Sequence, residues 1–234
     1  MIQNTKLGSG LEVVHYPIPQ TRFVEIALAV GIGTRYESKR LMGISHFTEH
    51  ILFRGCRLLP TSYQLNLEFD RIGDGLNAMT GKEFTMFTTK VPSEEMANAL
   101  KLLAGVVSEP LFRDVDTERG IILEETLEEL DEKGADSDIE NISRKLIFGE
   151  HTLAYPVLGR PETIKNITES ELMDFHASHY LPNNMVLAVA GDPAPKRIRI
   201  GEEILSTPRR DRGRQRHRST PASKHPLDLG MRLG

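Results

Sequence analysis

The chain has 234 residues, of which 39% are hydrophobic and 26% charged, a composition typical of a protein with an ordinary buried core. No apolar run approaches the roughly 18 residues that span a bilayer, and no signal or transit peptide is recognisable. Together with a single cysteine, these features predict a cytoplasmic protein without disulfides or membrane attachment.

Charge divides the chain into two segments. The net charge of −4 conceals 11 basic and 4 acidic residues in 196–234, against 18 basic and 29 acidic residues in 1–195. We therefore predict an acidic folded domain over 1–207 and a basic tail over 208–234. The tail's arginines lack accompanying aromatic residues, which favours a solvated segment over a nucleic-acid-binding surface.

The first elements of the domain are two β-strands and a short helix. Residues 11–16 and 22–30 are rich in branched and aromatic side chains, which is typical of strands. Residues 31–43 form a glycine-containing loop. In 44–55 the apolar residues recur every three to four positions, so this segment is predicted to be helical.

The remaining elements alternate irregularly between helix and strand. The patterns predict helices at 62–73 (capped by Ser62), 93–107 (capped by Ser93), 116–134, 138–149 and 169–180, with a docked helix possible at 197–205. Two antiparallel strands are predicted on either side of 80–82, the second at 83–91, and a buried strand at 185–191. This mixture indicates an α+β fold, with a mainly antiparallel sheet covered by helices.

The segment most informative about chemistry is the HxxEH sequence of the short helix. His46 and His50 are four residues apart, so their rings project from one face of the helix and can converge on a single metal ion. Glu49 lies on the same side, where its carboxylate can reach a water bound to the metal. Such a carboxylate can act as a general base, so the sequence predicts a hydrolytic metal site.

A catalytic zinc ion usually has three protein ligands, and the helix at 116–134 offers two candidates for the third. Glu118 and Glu125 are seven residues apart, which at 100° per residue places their carboxylates about 20° apart on one face. One can bind the metal while the other supports a ligand, and helical geometry leaves their assignment open. Other acidic residues of this segment are predicted to face solvent: Glu124, Glu128, Glu129 and Glu132.

Five segments follow one another along the chain: GISHFTEHILFRG, LNAMTGKEFTMF, ERGIILEE, YPVLGRPETIKNIT and HYLPNNMVLAVAGD. This ordered series resembles the pitrilysin-type zinc metallopeptidases, the inverzincins of family M16, and especially their bacterial branch similar to the mitochondrial processing peptidase. The resemblance covers roughly residues 5 to 205 and implies an N-terminal pitrilysin/LuxS-like metallohydrolase domain.

The resemblance implies a role for each motif residue. His46, His50 and Glu125 are implied to bind one Zn²⁺, with Glu49 as the general base and Glu118 supporting the ligands. Asn77 and Ala78 are implied to lie on an edge strand to which an extended peptide substrate adds through main-chain hydrogen bonds. The remaining histidines of this region are predicted to pack or to lie at the surface: His15, His151, His176 and His179.

The resemblance also implies a missing half. Enzymes of this type enclose the substrate between two homologous halves or subunits, and this chain matches the first. We therefore expect a zinc endopeptidase that acts on peptides or unfolded segments together with a second-half subunit or as a homo-oligomer. The alternative is a non-catalytic or inactive subunit of a two-chain peptidase, although the intact metal-binding motif argues against it.

Overall fold

The computed structural model describes residues 1–192, so the predicted basic tail, the possible helix at 197–205 and the proposed boundary at residue 207 lie outside the described residues. The strands are β1 (Gln3–Lys6), β2 (Glu12–Pro17), β3 (Phe23–Val30), β4 (Asn77–Thr80), β5 (Thr85–Pro92) and β6 (Met185–Gly191). The α-helices are α1 (Ile44–Leu52), α2 (Ser62–Ile72), α3 (Met96–Ser108), α4 (Val115–Glu128), α5 (Ile139–Phe148), α6 (Pro161–Asn166) and α7 (Glu169–His179).

The six strands form one sheet in the order β1-β2-β6-β3-β5-β4. Every neighbouring pair is antiparallel except β2 and β6, which run parallel. The last strand in sequence therefore lies between the second and third, and β4 forms one edge. This arrangement confirms the expected α+β fold with a mainly antiparallel sheet.

The core lies between the sheet and the helices. Alternate side chains of β3 are fully buried, as expected for a strand with one face toward a core: Val24, Ile26, Leu28 and Val30. Helix α1 buries Phe47, Ile51 and Leu52 completely. Each such side chain contributes about 1.5–3 kcal/mol relative to an exposed position, so α1 is held firmly in the core.

Helix α4 is shorter than predicted, ending at Glu128 instead of residue 134. After it, the chain makes a turn in which the Asp131 carboxylate accepts hydrogen bonds from the backbone N–H groups of Lys133 and Ala135. Gly134 adopts a positive φ of 77° at the same turn. The local Asp and Gly geometry therefore overrides the acidic helical pattern beyond residue 128.

Two predicted helix N-caps are wrong, because another residue, one or two positions away, occupies each N-cap. Thr61, not Ser62, precedes α2, and its hydroxyl accepts a hydrogen bond from the backbone N–H of Gln64. Helix α3 begins at Met96 after a short 3-10 turn over Ser93–Glu95, which places Glu95 at its N-cap. In both cases the pattern located the helix to within three residues.

Two elements and one side chain differ from the sequence analysis. Strand β1 was not predicted because all four of its residues are exposed and show no apolar alternation, and α6 is only six residues long. Glu129 is half-buried, and its carboxylate accepts a hydrogen bond from the Asn141 side chain, so it does not belong to the solvated face. Within residues 1–192, no helix has the length and apolarity needed to cross a membrane.

Candidate metal centre

Helix α1 begins at a close contact between two glycine backbones. Gly43 has a φ of 93°, and a Cβ there would lie 2.8 Å from the Leu158 carbonyl oxygen and 2.8 Å from Gly159 Cα. A larger residue would therefore meet both backbone strain and steric overlap. This contact fixes where the HxxEH helix starts relative to the segment before α6.

A buried carboxylate holds the same helix end. Glu37 is 5% exposed and accepts hydrogen bonds from the backbone N–H groups of Gly43 at 2.7 Å and Ser45 at 2.8 Å. Those N–H groups have no partner within the helix, so the carboxylate satisfies them and complements the helix dipole. Burial raises the pKa of Glu37 to about 6, and this effect outweighs the hydrogen bonds from Ser45 and Gly43, which lower the pKa.

Glu37→Gln is expected to change how stability depends on pH. Since the Glu37 pKa in the folded protein, about 6, exceeds its ordinary value of 4.5, the folded state binds this proton more tightly than the unfolded chain. The corresponding stability is present below the ordinary pKa and is lost as pH rises through the folded-state pKa, a change of about 2 kcal/mol. Urea unfolding of both proteins with chelator, from about pH 4 to about pH 7.5, should show the parent's free energy of unfolding falling relative to the variant's. A difference that stays constant over this range would contradict the assignment.

The two histidines of α1 point their Nε2 atoms at each other. His46 Nε2 and His50 Nε2 are 3.2 Å apart, although both atoms are electron-pair donors to a metal. Two nitrogens bound to one tetrahedral zinc ion at ordinary bond lengths are about 3.3 Å apart. The pair therefore has the separation that one shared ion requires.

Glu125 of α4 completes a group of three. Its Oε2 lies 3.6 Å from His50 Nε2 and 3.9 Å from His46 Nε2. Packing positions α4 against α1, because the Arg119 guanidinium lies over the Phe47 ring at 5.3 Å from its centroid. Two imidazoles and one carboxylate form a donor set that suits Zn²⁺ and leaves its fourth position open. Among the described residues, this is the group of histidine, cysteine and acidic side chains that could hold a metal ion.

Glu118 supports His50 from the opposite side of the ring. Its Oε2 lies 2.9 Å from His50 Nδ1, which places the ring proton between them and leaves Nε2 directed at Glu125. Arg54 in turn forms an ion pair with the nearly buried Glu118 at 3.1 Å. Arg54 therefore compensates the charge of a carboxylate that is otherwise cut off from solvent.

The protonation of the two histidines differs. Burial lowers the pKa of His46 to about 3, with a smaller effect of His50 in the same direction, so His46 is neutral and ready to bind metal near neutral pH. Burial alone would also lower the pKa of His50, but Glu118, Glu125 and Glu49 together raise it above its ordinary value. The acidic groups around His50 therefore favour a cation at this position.

Glu49 lies on α1 beside the two histidines, and Thr80 of β4 holds its carboxylate. The Thr80 hydroxyl donates a hydrogen bond to Glu49 Oε2. Burial raises the pKa of Glu49, while this hydrogen bond lowers it, and the net direction is upward. A raised pKa brings a carboxylate closer to the range in which it can accept a proton near neutral pH.

Asn77 and Ala78 lie on the edge strand β4, at the side of the sheet nearest to α1. Asn77 is exposed and Ala78 half-buried. The Gly81 N–H donates a hydrogen bond to the Phe84 carbonyl at 2.8 Å, so Gly81 and Phe84 form a hydrogen-bonded pair. Hydrogen-bonded and non-hydrogen-bonded pairs alternate along an antiparallel ladder, so the next pair, Thr80 with Thr85, is non-hydrogen-bonded. By alternation, the backbone groups of Ala78 and Thr80 point away from β5, toward the open edge.

A cleft of about 750 Å³ opens beside Glu125. Its lining combines acidic side chains with two apolar ones: Glu125, Glu128, Glu129, Ser137, Asp138, Ile139 and Leu158. The other histidines of the described chain are not part of the convergent group. His176 is buried and its Nε2 lies 2.8 Å from the Val107 carbonyl oxygen, and His151 is exposed, in keeping with the packing and surface positions predicted for them.

The structure thus gathers His46, His50, Glu125, Glu118 and Glu49 in one place and sets Asn77 and Ala78 on the neighbouring edge. Sequence reasoning did not single out three residues that support this group: Thr80 contacts Glu49, Arg54 contacts Glu118, and Glu37 holds the N-terminus of α1. Thr80 had a usable signal, because it lies two residues after Ala78 in the segment LNAMTGKEFTMF, which carries part of the family resemblance. Glu37 and Arg54 had none beyond their charge, since their partners become neighbours only in the folded chain.

Comparison with protein families gives two matches that follow one another along the chain. Residues 12–160 match the family model described as insulinase (peptidase family M16). Residues 166–199 match the model described as the peptidase M16 inactive domain. The first match contains all of the candidate metal ligands.

Several bacterial proteins are similar in sequence. The protein YmxG of Bacillus subtilis, named an uncharacterized zinc protease, is 32% identical over 194 residues, which cover 82% of this chain and 47% of that protein. An uncharacterized zinc protease of Rickettsia felis is 34% identical over 203 residues, covering 86% of this chain and 48% of its own length. The chain therefore spans about half the length of the curated relatives it matches.

Solved structures share the fold. A protease from Helicobacter pylori matches with a TM-score of 0.80 at 23% identity, covering 88% of this chain and 50% of that one. The first half of the periplasmic protease PqqL from Escherichia coli matches with a TM-score of 0.77 at 24% identity, covering 95% of this chain and 49% of its own. Because proteins of this fold include a periplasmic one, the cytoplasmic location of this chain stays a prediction.

Proposed function

The chain belongs to peptidase family M16, the insulinase family, and on this premise we propose that it is the catalytic half of a zinc-dependent endopeptidase. One observation carries the proposal: His46 Nε2, His50 Nε2 and Glu125 Oε2 lie close enough together to bind one metal ion. The zinc protease names of the relatives support the same metal. In this proposal a single Zn²⁺ binds these three residues.

Each remaining residue of the centre has a part in hydrolysis. Zinc, when bound, acidifies the attacking water and polarises the peptide carbonyl. Glu49 takes the proton from that water and can pass it to the departing amine. Glu118 fixes the orientation of His50 through Nδ1, and Arg54 holds Glu118 in place through an ion pair.

The substrate in this proposal is an extended peptide or an unfolded segment that adds to the edge of the sheet. Ala78 and Thr80 direct their backbone groups outward, where a strand can form main-chain hydrogen bonds with them. Asn77 is exposed beside them and offers a side-chain contact. This edge lies close to Glu49, because Thr80 belongs to β4 and its hydroxyl contacts the Glu49 carboxylate. A strand bound along β4 would therefore run past the metal.

The length of the relatives bears on how the enzyme is assembled. Since this chain covers 47% of one relative and 48% of another, we propose that a homologous second half encloses the substrate, as a partner subunit or in a homo-oligomer. A non-catalytic subunit is the alternative. The intact set of metal-binding residues, together with Glu49, supports the catalytic assignment.

The test is an assay of the purified full chain with a fluorogenic peptide, with zinc, with chelator, and with chelator followed by zinc. We expect one zinc ion per chain and zinc-dependent cleavage that is slow for the monomeric chain. Adding a second-half chain, or association of the chain with itself, should raise the rate by at least about tenfold, because enclosure positions the substrate. A chain that binds no zinc would contradict the catalytic assignment, and full activity of a chain that stays monomeric in light scattering would contradict the need for a second half.

A further inference from the structure

Thr80 occupies a position that joins two parts of the proposed enzyme. Its hydroxyl donates to Glu49 Oε2, and among the described residues no other side chain forms a hydrogen bond with this carboxylate. Glu49 is only 9% exposed, so few alternative partners reach it. No hydrogen bond from a described side chain reaches the second carboxylate oxygen, Oε1.

The backbone of the same residue faces the open edge of the sheet. Strand β4 is four residues long and, within residues 1–192, pairs on one side only, with β5. A short edge strand with half of its backbone groups unpaired is held less firmly than an interior strand. A peptide that pairs with Ala78 and Thr80 would complete these hydrogen bonds and fix β4 in position.

We propose that Thr80 is a positioning residue that couples binding of a peptide along β4 to the orientation of the Glu49 carboxylate. The inference rests on the proposed peptidase function. Binding along the edge restrains the Thr80 backbone, and the branched side chain, which has few rotamers, carries this restraint to its hydroxyl. The hydroxyl then holds Oε2, which directs Oε1 at the water. Binding energy from parts of the substrate remote from the scissile bond thus increases kcat.

Thr80→Val removes the hydroxyl at nearly constant side-chain volume, whereas Thr80→Ser retains the hydroxyl. For Thr80→Val we expect kcat to fall by about 10–100-fold, with zinc content unchanged and KM changed less than threefold. Thr80→Ser should recover part of kcat, because it keeps the hydroxyl but lacks the branch that restricts its rotamers. Thr5→Val is the matched control, since Thr5 lies on β1 at the opposite edge of the sheet and is exposed. It should behave like the parent.

A comparison of peptide lengths separates coupling from simple loss of a contact. In the parent, peptides long enough to pair along β4 should have a higher kcat than short peptides of the same scissile sequence. In Thr80→Val this advantage should disappear from kcat and remain only in KM. An advantage in kcat of equal size in both proteins would overturn the proposal, as would an increase in KM alone.

Hydrogen exchange gives a reading that does not depend on turnover. A peptide with a reduced, non-hydrolysable scissile bond should slow amide exchange in both β4 and α1 of the parent. In Thr80→Val it should slow exchange in β4 alone. Equal protection of α1 in both proteins would contradict the coupling and leave the peptidase function intact. A parent that binds neither zinc nor peptide would instead remove both proposals.

Discussion

Glu49→Gln is expected to retain zinc and to reduce peptide hydrolysis by at least about 10²-fold. The amide keeps the size of the side chain and can still accept the hydrogen bond from Thr80 through its oxygen. It cannot take a proton from water near neutral pH. Since Glu49 contributes none of the three convergent ligand atoms, the affinity for zinc should change little.

The measurements are the zinc content and the rate of cleavage of a fluorogenic peptide, in the form of the enzyme in which the parent is active. A thermal unfolding curve establishes that the variant is folded. Glu68→Gln provides a control of the same chemistry, because Glu68 lies on α2 and pairs with Arg71 away from the centre. If Glu49→Gln cleaved peptide at the parent's rate, another group would be the base.

Glu125→Gln is expected to weaken zinc binding by more than the 10–100-fold typical of residues that only support a ligand. The substitution replaces an anionic oxygen ligand with a neutral and poorer one, at a position 3.6 Å from His50 Nε2. Competition with a chelator of known affinity measures the change. Activity at limiting zinc should fall in parallel and recover in part at high zinc.

Glu124 and Glu118 provide the controls for this experiment. Glu124 precedes Glu125 on the same helix and is exposed, so Glu124→Gln should bind zinc like the parent. Glu118→Gln should weaken binding about 10–100-fold, because it disturbs only the support of His50. A larger effect of Glu118 than of Glu125 would exchange the two roles.

The sequence predicts the chemistry of α1 well because the relevant geometry is local. His46 and His50 are one helical turn apart, so any helix brings them to the same face, and the structure places their Nε2 atoms 3.2 Å apart. The choice between Glu118 and Glu125 is different. Both share a face of α4, and only the docking of α4 on α1 places Glu118 at His50 Nδ1 and Glu125 at Nε2.

Specific hydrogen bonds that form only in the folded chain account for what the sequence leaves out. Glu37 is separated by a loop from the helix end that it holds, and Thr80 is 31 residues from Glu49. A polar residue with such a partner has no periodic pattern that would distinguish it from a solvated one. The early end of α4 likewise depends on the hydrogen bonds of one turn rather than on helical preference.

The place of β6 in the sheet has a consequence for the order in which the chain assembles. Strands β3, β5 and β4 come from residues 23–92 and can pair with one another early, whereas β2 joins them only through β6, residues 185–191. On a ribosome that adds about 5–20 residues per second, the N-terminal hairpin of β1 and β2 must wait several seconds for its neighbour. During this interval β2 and β3 each have one unpaired edge, and unpaired strand edges are prone to pair with other chains. The period of greatest aggregation risk therefore ends when β6 is inserted, well after the metal-binding residues have been synthesised.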